Sequence, residues 1–203
     1  EAGVRAGYLF NTTLAGIEDA DALLIIGSNP RKEAPVLNAR LRKRWLKGGL
    51  KVGLIGAPAN LTYRYTQVGA GPDDLAAVLD GSHAFAEVLR VAKQPMIVVG
   101  QGALARPDGA AVLDLCRRVA EAFGIVREDW NGFNVLHTAA ARVGGLDLGF
   151  VPGPGGRDVA GILDGAEADE IDFVWLLGAD EIETKRLGRA FVVYQGTHGD
   201  AGA

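Results

Sequence analysis

The chain predicts an α/β fold, doubly wound, with a mainly parallel sheet and helices on both faces. Three observations carry that prediction. A short apolar, β-branched run ending in glycine recurs four times, as ALLIIGSNP (22–30), KVGLIGAPA (51–59), PMIVVGQGA (95–103) and FVWLLGADE (173–181). Within each run hydrophobicity is continuous rather than alternating, as in a strand covered on both faces. Segments of helical period separate the runs, as the crossovers between parallel strands require.

Each element follows in order. After the first run, residues 33–46 place Leu37, Leu41 and Trp45 at i, i+4 and i+8 on one helix face, and Gly48-Gly49 supplies the stop. After the second run, 72–79 and 84–92 read as shorter helices, with Ser82 as an N-cap. After the third, 109–123 carries Val112, Leu115, Val119 and Phe123 on a stripe and stops at Gly124, and 131–143 reads as a further helix. The Gly- and Pro-rich GFVPGPGGRD (149–158) precedes the fourth run, and AFVVYQGTHGD (190–200) is a looser fifth. The wide interval between Gly100 and Gly178 places a boundary near 126. Residues 1–126 then form a first Rossmann-like unit and 127–203 a second, incomplete α/β unit, truncated at its C-terminus. The chain starts at Glu1 without a signal-peptide pattern and stops just after a strand, so it reads as part of a longer polypeptide.

Composition excludes several classes. With 48% hydrophobic and 23% charged residues the 203-residue chain is globular, and its net charge of -4 argues against nucleic acid as a partner. The single cysteine, Cys116, supports neither a disulfide framework nor a Cys-based iron-sulfur or zinc site. The apolar runs are strand-length, short of the ~20 residues of a membrane helix, so no direct membrane insertion is expected.

Candidate chemistry is sparse. GQGALA satisfies G-x-G-x-x-[GA] with Gly100, Gly102 and Ala105, a pattern whose glycines let backbone approach a pyrophosphate. Arg106-Pro107 puts the helix start late, near Pro107, and no acidic residue ends a following strand to hold a ribose, so a tight strand-to-helix turn accounts for the glycines. A basic stripe sets Arg40, Lys43, Arg44 and Lys47 at i, i+3, i+4 and i+7. It reads either as a solvated face whose cations favour the helix C-terminus, or as a docking surface for an acidic neighbouring subunit. His83, His137 and His198 stand apart without metal-ligand spacing, and structural roles are expected for all three. Neither a nucleophile elbow nor a P-loop is present, and Cys116 reads as a buried helix residue. No catalytic residue and no metal ligand is expected.

The strings IIGSNPRKEAPVLNARLRKRW and LKVGLIGAPANLTYRY, followed in order by GSHAFAEVLRVAKQPMIVVGQGAL, NVLHTAAARVGGLDLGF, WLLGADE and VVYQGTHGDAGA, closely resemble the 75 kDa-type subunit family of respiratory complex I, the G subunit of the bacterial complex. That resemblance implies the molybdopterin-oxidoreductase-like region of the subunit. In catalytic relatives, loops resembling Gly27-Ser28-Asn29, Gly100-Gln101-Gly102 and Gly178-Ala179-Asp180 line a pterin-guanine dinucleotide crevice. Here the resemblance implies a vestigial crevice at Gly27, Ser28, Asn29, Gly100, Gly102, Gly178 and Asp180, with no cofactor in this segment and iron-sulfur clusters in an N-terminal portion outside it. It implies a non-catalytic scaffold and docking role within the NADH-quinone oxidoreductase complex. The partners would be other subunits of the peripheral arm, on the cytoplasmic side of a bacterial inner membrane or the matrix side in mitochondria. The alternative is a domain of a molybdopterin-type oxidoreductase that still binds the pterin or a nucleotide in the crevice.

Overall fold

The computed structural model describes residues 4–178 and 181–197. It divides into two compact units, Glu1–Leu148 and Gly149–Ala203.

In the first unit a single helical turn, α1 (Thr13–Gly16), leads into β1 (Ala22–Ile26). A short α2 (Pro30–Glu33) and the longer α3 (Pro35–Leu46) follow, divided by Ala34, whose extended φ of -147° is what a residue before proline adopts. Next come β2 (Lys51–Ile55), β3 (Thr66–Gly69), α4 (Pro72–Asp80), α5 (Phe85–Val91) and β4 (Pro95–Gly100). The one-turn α6 (Gln101–Leu104), α7 (Gly109–Ala122), β5 (Phe133–Leu136) and α8 (Arg142–Asp147) complete the unit. Its five strands are all parallel in the order β3-β2-β1-β4-β5.

The continuous hydrophobicity of β1 has the expected cause. Ala22, Leu24 and Ile26 enter one core with Ile97, Val99, Val112 and Cys116, on the face covered by α4, α5 and α7. Leu23 and Ile25 enter the opposite core with Leu37, Leu41, Met96 and Val98, under α3. The chain therefore winds outward from β1 through β2 to β3, then returns across the sheet to start β4 on the other side of β1. That reversal is the topological switch point of a doubly wound sheet, where loops from adjacent strands leave toward opposite faces.

Several expectations change. The boundary lies at Leu148/Gly149 rather than near 126, because β5 pairs with β4 and closes the first sheet. Residues 131–143 are not one helix: Phe133–Leu136 is a strand, and only Arg142–Asp147 is helical. The four residues of the strand are too few to show its period against a longer helix-compatible pattern. The edge strand β3 carried no apolar run, since its Thr66 and Gln67 are exposed. Ser82 does not cap: α5 starts at Phe85, and the Ser82 hydroxyl donates to the Ala77 carbonyl. α6 begins directly after β4, so the chain turns helical at Gln101 rather than near Pro107, and α7 follows from Gly109.

The edge of β5 is held by the N-terminal segment. The Leu9 carbonyl accepts from the Val135 amide, and fully buried Asn134 accepts from the Thr12 amide at 2.9 Å while donating to the Thr12 hydroxyl at 2.7 Å. Such a network satisfies the buried amide group of Asn134, and it covers an edge that would otherwise be open to pairing.

In the second unit, α9 (Val159–Glu167) is capped by Asp158, which accepts from the Gly161 amide, and packs on a parallel pair, β6 (Phe173–Leu177) and β7 (Phe191–Gln195). Val174 and Leu176 face Leu163 and Leu187. On the other face of the pair Phe173, Trp175, Leu177 and Phe191 are each more than half exposed, with the two Phe rings stacked at 6.1 Å. The described residues of the second unit thus form a two-stranded parallel sheet with its buried residues on one side.

Candidate functional site

The switch point brings together five of the seven predicted crevice residues. Gly27, Ser28 and Asn29 leave the end of β1, and Gly100 and Gly102 leave the end of β4, its direct neighbour. Gly178 directly follows β6 in the second unit, and Asp180 lies outside the described residues.

The glycines are required by the approach of one loop to the other. Gly27 has φ of +61°, and a Cβ there would lie 2.5 Å from both the amide nitrogen and the Cβ of Ala103. A Cβ on Gly100 would lie 2.5 Å from the Ser28 Cβ, and one on Gly102 would lie 2.7 Å from the Gly27 carbonyl oxygen. Real Cβ contacts are not this short. The space that glycine leaves in a dinucleotide fingerprint for a pyrophosphate is here filled by the protein's own backbone.

The open space lies beside this interlock, over the C-terminal ends of β1 and β2, as a cleft of about 380 Å³. Its polar lining comes from Ser28, Asn29, Glu33 and Arg106, with the backbone of 56–59 and 70–72. The donors at its rim are already engaged by carboxylates. The Asn29 amide donates to Glu33 Oε1 at 2.6 Å, and the Ser28 hydroxyl donates to Glu33 Oε2 at 2.9 Å. At the start of α4 the amides of Ala70 and Gly71 both donate to Asp74 Oδ2, at 2.8 and 3.1 Å. Those amides hold the Asp74 carboxyl below the usual carboxylate range, Ala70 contributing most. Arg106, the only Lys or Arg among the described residues that line the cleft, forms a two-pronged ion pair with Asp108 at 2.6 and 2.7 Å. The buried Oδ1 of Asn29 has no hydrogen-bond partner among the described residues.

Sequence reasoning missed Glu33, Asp74 and Asp108. Glu33 follows Asn29 by four residues and Asp74 follows Ala70 by four, so each carboxylate reaches back over one helical turn in the manner of a capping box. That spacing was the available signal.

The predicted docking stripe is also partly engaged. Glu18 accepts from Lys47 at 2.8 Å, Lys43 at 3.0 Å and Arg40 at 3.2 Å, while Arg44 donates to the Gly48 carbonyl. Hydrogen bonds from Lys47 and then Lys43 pull the Glu18 carboxyl down to about 2. Three cations around one carboxylate still leave the stripe positive.

Other candidates resolve simply. Cys116 is fully buried on α7, and burial pushes its thiol up to about 12, so it packs as a small apolar group. His83 accepts from the Phe85 amide, His137 Nε2 contacts the Tyr8 carbonyl at 2.7 Å, and His198 lies outside the described residues. Among the described residues no cluster of three or more His, Cys, Asp or Glu is placed to hold a metal ion, and no helix is long and apolar enough to cross a membrane.

Comparison with known proteins gives one consistent result. The model of the family described as molybdopterin oxidoreductase matches residues 1–203. The G subunit of NADH-quinone oxidoreductase from Rickettsia bellii (strain RML369-C) is 45% identical over 199 residues, covering 98% of this chain and 28% of the relative. The corresponding G subunits from Rickettsia felis (strain ATCC VR-1525 / URRWXCal2) and Rickettsia prowazekii (strain Madrid E) are 44% identical over 200 residues and 42% over 199, each covering 98% of this chain and 28% of the relative. The resemblance drawn from the sequence is borne out, and the chain spans 28% of the length of these relatives. A pterin cofactor that carries phosphate does not fit the crevice residues. At Gly27, Gly100 and Gly102 the glycine space is filled by the facing loop, and the Ser28, Asn29 and Ala70 donors already hold carboxylates.

Two outcomes follow. Gly27→Ala meets both a left-handed φ and a backbone clash, and should lower stability by about 2 kcal/mol or more; Gly144→Ala, in open space within α8, should change it by under about 1 kcal/mol and in the stabilising direction. Urea denaturation of both variants measures the difference. For Glu18 the folded pKa lies below the unfolded value near 4.5, so its contribution is present above that value and is lost as pH falls toward 2. Melting temperature should therefore drop across that interval in the parent protein and more shallowly in Glu18→Gln.

Proposed function

The chain belongs to the molybdopterin oxidoreductase family, and on that premise we propose that it is a non-catalytic scaffold and docking segment of a polypeptide like the G subunit of NADH-quinone oxidoreductase. The whole complex would carry electrons from NADH to quinone. This segment would hold the fold without the pterin, and iron-sulfur clusters would reside in other parts of the polypeptide.

The observation that carries the reading is the Glu33 carboxylate seated on the Ser28 and Asn29 donors at the switch point. A crevice that satisfies its own donors needs no bound phosphate to complete the turn. The absence of a paired acid and base around the cleft, among the described residues, supports the same reading: its lining offers one carboxylate and one guanidinium, both engaged within the protein. Partners would be the other subunits of the peripheral arm, at the cytoplasmic face of a bacterial inner membrane or the matrix face in mitochondria. The stripe of Arg40, Lys43, Arg44 and Lys47 would meet an acidic neighbour, with Lys43 and Lys47 more than half exposed despite their contact with Glu18.

A second reading, a domain that still binds a pterin or nucleotide, is favoured by the cleft itself and by the unpartnered Asn29 Oδ1 at its edge.

The intact protein, purified and assayed for molybdenum, pterin and flavin, should contain none of them in this region. Calorimetry with guanine nucleotides should be flat, whereas micromolar binding, about -8 kcal/mol, would establish the second reading instead. Reversing two stripe charges, Lys43→Glu with Lys47→Glu, should reduce co-purification of the complex; undiminished assembly would return the stripe to a solvated face.

A further inference from the structure

We propose that Glu33 is a resident anion that sets the charge selectivity of the cleft: its carboxylate occupies the donors a phosphate would use and excludes phosphate-bearing ligands from the switch point. The inference rests on the scaffold reading and deepens it by naming the group that keeps the crevice empty of anions.

Three observations converge. The Glu33 carboxylate is bidentate, one oxygen on the Asn29 amide and the other on the Ser28 hydroxyl, which is the arrangement two oxygens of a phosphate would take on the same donors. No Lys, Arg or His among the described residues forms an ion pair with Glu33, so its negative charge stands toward the cleft it lines. Three further groups at the cleft that could attract an anion are engaged in the same way, the Ala70 and Gly71 amides by Asp74 and the Arg106 guanidinium by Asp108. A like charge a few ångströms from an arriving phosphate, in a partly enclosed space, repels it far more strongly than the same charge would in open water.

Asp74 has a second mark of a built contact. A Cβ on Gly69 would lie 1.9 Å from the Asp74 carboxyl carbon, so the strand end is shaped to admit that side chain. Its carboxylate caps a nine-residue helix and has an ordinary structural role, whereas Glu33 sits on the turn at the switch point itself. Glu33 is for that reason the residue to change.

The test uses the intact protein carrying Glu33→Ala or Glu33→Gln, with Asp114→Asn, an exposed site on α7, as a control for net charge. Inorganic phosphate is the probe, its binding followed by calorimetry and by phosphorus NMR line width. Glu33→Ala should bind phosphate at least about ten-fold more tightly than the parent, Glu33→Gln should fall between them because it loses the charge and keeps the bulk, and Asp114→Asn should match the parent. Far-UV circular dichroism confirms that the variants are folded. Phosphate binding by the parent equal to that of the variants overturns the proposal, as does phosphate seated at Ser28 in crystals of the parent soaked with it; the latter also decides the matter if both variants fail to fold. Finding a pterin in the parent would instead defeat the scaffold reading, so the two failures are distinguishable.

Discussion

The structure depends on the close approach of the β1 and β4 loops at the switch point. With Gly27 against Ala103 and Gly100 against Ser28, the two central strands are held in register as neighbours, Ala22 beside Pro95 through Ile26 beside Val99. Every other strand of the first sheet is added outward from this pair. The helices of the two faces depart from these loops, α3 toward one core and α7 toward the other. A side chain at any of the three glycines would push apart the loops that direct the helices to opposite faces. The constraint is steric, and backbone atoms cannot rotate away from it as the end of a long side chain can.

The same approach gives a phosphate-type motif a structural reason of its own. In a dinucleotide site the glycines leave room for a pyrophosphate and the amides supply its hydrogen bonds. Here the room is taken by Ala103 and the Gly27 carbonyl, and the hydrogen bonds by Glu33. In this chain packing alone demands glycine at these positions, as strictly as a ligand would. A pattern such as GQG after a strand reports close backbone approach; what approaches must be read from the structure.

Much of the first unit was legible in the sequence because its strands are buried on both faces, and continuous hydrophobicity marks that condition directly. β1 and β4 have no exposed residue, and both stood out as apolar runs. β3 and β5 lie at the edges. β3 has one buried residue in four, and β5 is preceded and followed by polar residues that fit a helical pattern equally well. Pairing across the sheet, to β2 and β4, decides their state, and pairing is a long-range property that no local window contains. The boundary near 126 failed for the same reason: it followed from missing β5. At the site, the loop glycines were legible and their occupant was not. Glu33 looked like the first residue of a helix, and only the reach of its side chain back to Asn29 shows that it closes the turn.

The resident carboxylates also bear on how the fold is stabilised. A protein that relies on a cofactor to satisfy donors at a turn gains stability only in proportion to the logarithm of ligand concentration over its dissociation constant. Left without it, a donor shielded from water would cost up to about 1–3 kcal/mol, and the part-buried Ser28 and Asn29 donors a fraction of that. Supplying the acceptor from within the polypeptide removes that dependence, since Glu33 is four residues from Asn29 and Asp74 four from Ala70, and both are present as soon as their helices form. Such a turn folds to the same geometry whether or not anything is bound above it. That property suits the scaffold role proposed above, in which neighbours would dock on a surface that does not wait for a ligand. The arrangement also opposes anion binding at the turn: a phosphate would have to displace a tethered carboxylate, whose local concentration is set by one helical turn and does not dilute.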